Sequence, residues 1–190
     1  MTFLTDFADQ AVVLPLVAAV ALMLAVLGWW RHALSWLAVI GVTFAVVLIL
    51  KLGFLACDPI FGPWSLRSPS GHAAAAAVVA GGLAALLSPR RWVVLTIATL
   101  AAVAIGVSRL ELGVHSVPEI VLGAMLGVAG AAVFCRLAGP PPARRPVSLL
   151  AVVVVVAVLL HGTRLPAEAA IWKFSRGALD FVPACRAGPS

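Results

Sequence analysis

Ala33–Leu50 reads ALSWLAVIGVTFAVVLIL, a run of 18 residues with no charged group, closed on one side by Arg31-His32 and on the other by Lys51. At 1.5 Å per residue a helix needs about 20 residues to cross a hydrocarbon core, and this stretch with its flanks meets that length. Five further apolar runs surround it: Ala11–Trp30, Ala73–Leu87, Trp92–Val107, Val117–Leu137 and Val147–Leu160. The runs at 11–30, 33–50 and 117–137 are long enough to span. Those at 73–87 and 92–107 reach full length only with the polar residues at their ends, which is tolerable where a helix end meets protein or a water-filled cavity. The Ala- and Gly-rich run at 73–87 suits close packing against neighbouring helices. The expectation is an all-α, polytopic membrane bundle of six transmembrane helices, forming one domain over residues 1–190.

Composition points the same way. The 190 residues are 63% hydrophobic and 11% charged, with a mean hydropathy of +1.14. Soluble domains carry about 25% charged residues, so this chain lacks the polar surface to face water. The formal charge of +6 comes from basic residues set singly or in pairs between apolar runs. That is a topological signal and not a nucleic-acid surface. No basic n-region precedes the first run, where Asp6 and Asp9 stand instead, so no cleavable signal peptide is expected. Cys57, Cys135 and Cys185 are too few and too scattered for a metal site.

Six spans put both termini on one side. The short loops on the other side hold Arg31, Arg90, Arg91, Arg136, Arg144 and Arg145 and no acidic residue. The positive-inside rule assigns that side to the cytoplasm and the termini to the periplasm or exterior of a cell (inner) membrane. Arg164, Lys173, Arg176 and Arg186 in the tail fall on the predicted outer side. Residues 165–182 read as an amphipathic helix lying in the interface, with Ile171, Phe174, Ala178 and Phe181 at helical spacing. Cys57 and Cys185 share the outer side, where either a disulfide or two thiols is compatible with the sequence.

The polar residues that interrupt this chain cluster on the same predicted face. Lys51 ends the second run. Ser68-Pro69-Ser70-Gly71-His72 precedes the third, and Ser108-Arg109-Leu110-Glu111-Leu112-Gly113-Val114-His115-Ser116-Val117-Pro118-Glu119 joins the fourth to the fifth. Ionisable groups are costly at membrane depth, and their convergence at one end of a bundle points to function. The chemistry suits phosphate. Ser70 can cap a helix whose first amides, at Gly71 and His72, face an anion. Lys51 brings a point charge, and Arg109 a planar fork for two oxygens. One imidazole can attack phosphorus while the other protonates the leaving oxygen. Glu119, four residues after His115, is in reach to orient that ring, and Ser116 to Glu119 also reads as a capping box.

These segments resemble the second and third signature motifs of the type 2 phosphatidic acid phosphatase (PAP2) superfamily, which also contains vanadium haloperoxidases. Pro69–His72 matches the family's Pro-Ser-Gly-His, and Ser108-Arg109, His115 and position 119 keep the spacing of its third motif, over a helical core of roughly residues 50–137. The resemblance implies a metal-independent, cofactor-free phosphohydrolase acting on a lipid phosphate drawn from the bilayer, with His115 as the nucleophile that forms a phosphohistidine. It further implies that His72 is the acid and that Lys51, Ser70, Gly71 and Arg109 bind phosphate. Two positions depart from it. The third motif ends in Asp where this chain has Glu119, and the first motif's Arg-Pro falls on Asp58-Pro59, which makes Arg67 the candidate to supply the missing guanidinium. A lipid-to-lipid phosphotransferase, and a non-catalytic lipid-binding or transport protein on the same fold, stay open on sequence.

Overall fold

A computed structural model describes residues 2–56, 66–141 and 147–163, with Leu165, Ile171 and Lys173. Among these residues there are seven helices and no strand. They are α1 (Thr2–Asp6), α2 (Gln10–Val26), α3 (Trp30–Ala56), α4 (Gly71–Leu87), α5 (Arg91–Glu111), α6 (Val117–Ala138) and α7 (Val147–Leu160). Every apolar run forms a helix. The pairing of Cys57 with Cys185, the first-motif position at Asp58-Pro59 and most of the 165–182 helix lie outside the described residues.

Three helices, α3, α5 and α6, are long and apolar enough to cross a membrane, while α2, α4 and α7 are shorter apolar helices. One run ends earlier than the sequence expectation. The first run, expected to continue to Trp30, stops at Val26 because Gly28 takes a left-handed φ of +80°. The Trp29 amide then bonds Leu24 O at 2.8 Å and the Gly28 amide bonds Ala25 O at 2.9 Å, the paired bonds of a Schellman cap. The fourth run takes in the polar residues at its end, as its short apolar length required. Its helix continues through Ser108, Arg109 and Glu111, carrying motif residues on its last turn.

The core inverts the usual size order. The centre is α4, packed chiefly on α5 and α6, and its buried residues are mainly small: Ala73, Ala74, Ala75, Ala77, Gly81 and Gly82 among them. Large apolar side chains such as Leu22, Ile49, Leu100 and Met125 point outward and are more than 60% exposed. Lipid tails are as apolar as leucine, so helices in a bilayer gain little by burying large residues and pack instead through small ones. The chain is a membrane protein. Trp36 is the largest buried exception; its indole donates to Val17 O at 3.0 Å, and its ring meets the Phe134 ring edge-on.

The bundle has two distinct ends. At one, Arg31 Nε donates to Leu137 O and His32 Nε2 lies 3.2 Å from Pro140 O, so the start of α3 covers the open carbonyls at the end of α6. At the other end meet the starts of α2, α4 and α6 and the ends of α3 and α5. There α1 folds over α5. Ser108 gives its only hydroxyl proton to Ile105 O at 2.7 Å, so Thr5 donates in the 2.8 Å bond to Ser108. The Phe3, Phe7 and His161 rings cluster beside it.

Candidate active site

At the head of α6, the Glu119 carboxylate collects four donors. Oε2 accepts from the Ser116 amide at 2.9 Å and faces His115 Nδ1 at 3.0 Å. Oε1 accepts from the Arg67 and Ser68 amides at 2.9 and 2.8 Å. Ser116 and Glu119 complete a reciprocal capping box. Orienting a histidine and capping a helix are therefore both done by this carboxylate, one through each type of donor. The side chains of His115 and Glu119 are 3% and 8% exposed. A buried carboxylate with four donors is fully satisfied, which makes it a rigid base for the imidazole. With the Nδ1 proton pointed at Glu119, the ring's lone pair is on Nε2.

The loop held by Oε1 leads straight into α4. Ser70 is fully buried; its amide donates to Glu119 O at 2.9 Å, and its hydroxyl accepts from the Ala73 amide as the N-cap. The amides of Gly71 and His72 thus open a 17-residue helix, the position where backbone N–H groups and the dipole favour an anion. Helix α6 passes so close that a Cβ on Gly123 would collide with the Ser70 backbone. Only glycine permits that approach. Side-chain and backbone bonds from α6 therefore fix the head of α4 against His115.

Lys51, 6% exposed and more than a turn before the end of α3, runs beside Gly71, where an added Cβ would stand 3.6 Å from Lys51 Cε. Arg109 is buried on the last turn of α5, and its carbonyl accepts from the Val114 amide across the turn at Gly113. Arg67 is exposed and enters this arrangement through its backbone amide. Glu111 is exposed as well.

His72 stands over a cavity of about 420 Å³ that it lines with Lys51, Gly71 and Asp9; His115, Arg109 and Glu119 are not among its lining residues. Apart from Gln10 the remaining wall is apolar, with Phe44, Val47, Leu48, Leu165 and Ile171 among its residues. Asp9 was read from sequence only as an acidic residue near the N-terminus. In the fold its Oδ2 lies 3.9 Å from His72 Nε2, and it is the N-cap of α2. An Asp before an apolar run is a capping signal; no local pattern says that the cap faces a histidine on another helix.

A family model described as the PAP2 superfamily matches residues 53–143. Over 189 residues the chain is 32% identical to the "Uncharacterized 22.5 kDa protein in cps region" of Klebsiella pneumoniae, an alignment covering 92% of this chain and 90% of that protein. The chain belongs to the PAP2 superfamily. No solved structure matches it. The PAP2 match takes in His72, Arg109, His115 and Glu119, and leaves Asp9 and Lys51 outside its limits. Where the family pattern has Asp, Glu119 carries one more methylene at the third position of a helix, the place from which a glutamate completes a capping box. Family membership supports a phosphatase-type function in general terms.

Proposed function

We propose that this PAP2 protein is a hydrolase of lipid phosphates or diphosphates, working through a phosphohistidine on His115 at the outer surface of the membrane. The observation that carries this reading is the bond from His115 Nδ1 to a carboxylate held by three backbone amides. It fixes the tautomer in which Nε2 holds the attacking lone pair, the division of labour known from catalytic triads.

In this reading Lys51, Ser70, Gly71 and Arg109, with Arg67 from the loop edge, bind the phosphoryl oxygens and oppose the charge that builds as the bond to the leaving oxygen stretches. His115 Nε2 forms a bond to phosphorus, the phosphorus–oxygen bond breaks, and His72 gives its proton to the departing alcohol. Water then attacks phosphorus, its proton returns to His72, and inorganic phosphate leaves as the nitrogen–phosphorus bond breaks. The apolar side of the 420 Å³ cavity suits the first part of a lipid chain whose head group meets the cations. Arg31, Arg90, Arg91 and Arg136 belong to the opposite end, which the charge bias assigns to the cytoplasm.

The test is phosphate release from a panel of lipid phosphates in detergent, with vanadate as inhibitor. His115→Ala is expected to fall below about a thousandth of the wild-type rate, the scale of losing a nucleophile. Transfer of the phosphoryl group to an added lipid alcohol, without free phosphate, would assign the phosphotransferase variant. Equal inertness of wild type, His115→Ala and His72→Ala on every substrate would leave only the non-catalytic reading.

A further inference from the structure

We propose that Asp9 is a positioning residue for His72, so that the acid of the reaction is oriented from the N-terminal helices and not from within the motif-bearing segment. The inference rests on the phosphohydrolase reading above. Asp9 is 9% exposed in a chain with few acidic residues. Its Oδ1 accepts from the Ala11 amide at 2.9 Å and from the Leu165 amide at 3.1 Å. With that oxygen tied to the backbone on two sides, Oδ2 is turned to His72 Nε2 at 3.9 Å. An aspartate that only capped α2 would have no reason to sit against an imidazole in a cavity shared with Lys51, and burying a carboxylate is costly unless partners offset it.

The separation is longer than a hydrogen bond and shorter than a water-filled gap. Catalytic contacts are often loose before substrate binds and tighten in the complex. A small rotation of the ring brings the Nε2 proton onto Oδ2, and that turns Nδ1 to the leaving oxygen. As the phosphorus–oxygen bond breaks, the Nδ1 proton passes to the alkoxide. His72 is left neutral with its Nε2–H still bonded to the ring and donated to Asp9 Oδ2 as a hydrogen bond, so the carboxylate remains an anion throughout. The second tie, to Leu165, also joins the segment after the last helix to this wall of the site.

Leaving-group dependence separates this role from a structural one. An alkyl lipid phosphate needs a proton on its leaving oxygen, whereas p-nitrophenyl phosphate departs without one. The full-length protein is compared as wild type, Asp9→Asn, Asp9→Ser and His72→Ala, reading the ratio of lipid phosphate to p-nitrophenyl phosphate rates together with the thermal midpoint. Asn and Ser both retain a side-chain oxygen that caps α2 and remove the carboxylate. The expected result is a fall in that ratio of about 10-fold or more in both variants, in the direction of His72→Ala, where the whole general-acid contribution of about 10²–10⁴ is at stake. A wild-type ratio in both variants, or two rates that fall together with the thermal midpoint, overturns the proposal and leaves Asp9 as a cap and tether. A wild type inert on both substrates overturns the phosphohydrolase reading itself, and this inference with it.

Discussion

The two histidines proposed for catalysis stand against carboxylates of opposite design. His115, just before the cap of α6, and Glu119, on its first turn, are four residues apart in sequence and 3.0 Å from each other, with the carboxylate held by three amides. His72 and Asp9 come from the starts of two different helices and stand 3.9 Å apart beside an open cavity. The first pair is short-range and rigid, the second long-range and loose. In the proposed mechanism His115, as nucleophile, must keep one tautomer through every turnover, which favours a fully bonded base. In the same mechanism His72, as acid, gives up and regains a proton in each cycle, which favours a ring able to swing between its partner and the substrate. Each carboxylate also caps its helix, so the position of both rings is coupled to where a helix begins.

The comparison breaks most sharply at Glu119. Glu119→Gln places an amide NH₂ against donors on one side of the group, so His115 loses its fixed tautomer. Turnover is expected to fall by about 10²–10⁴-fold, the scale seen when a triad carboxylate becomes an amide. Thermal denaturation in detergent should show a loss of about 1–3 kcal/mol from the buried donors left unmatched. If Glu119→Gln and Asp9→Asn cost the same on both classes of leaving group, the contrast between rigid and loose pairs fails.

Gly123→Ala tests the scaffold that joins the two pairs. Its methyl group meets the Ser70 backbone, so the head of α4 must shift away from His115. A stability loss of about 1–3 kcal/mol from overpacking is expected, with a fall in turnover that p-nitrophenyl phosphate does not escape. Wild-type stability in this variant would show that α4 and α6 are less closely joined than the structure describes. The smallest effect belongs to Gly28→Ala at the left-handed turn after α2, away from both pairs. About 1 kcal/mol of stability should be lost there, seen as a lower thermal midpoint with turnover unchanged.

The rigid pair was legible in the sequence and the loose pair was not. Ser116 and Glu119 announce a helix start, and a glutamate at the third helical position reaches back past the cap, where His115 stands just before the helix. Nothing comparable links Asp9 to His72, because their approach depends on how α2 leans on α4. The amides of Arg67 and Ser68 on Glu119 were equally hidden: backbone groups leave no mark in a residue pattern. Arg67 was singled out for its guanidinium, yet its backbone amide makes the bond that ties its loop to Glu119. The stop at Gly28 was available as a glycine near the end of a run, but the apolar Trp29-Trp30 beyond it carried the reading onward.

By itself the sequence determined the solvent, the helices and the chemistry on offer. Hydropathy and run length follow from transfer free energies that act residue by residue, and the motif spacing sets which side chains share a turn. The tertiary structure alone decided which carboxylate faces which imidazole across the bundle, how closely α6 could approach Ser70, and where the apolar cavity meets Lys51 and His72. Those depend on helix-to-helix distances, which small residues allow but do not specify, because in a bilayer packing and polar bonds, not burial of apolar surface, select the arrangement.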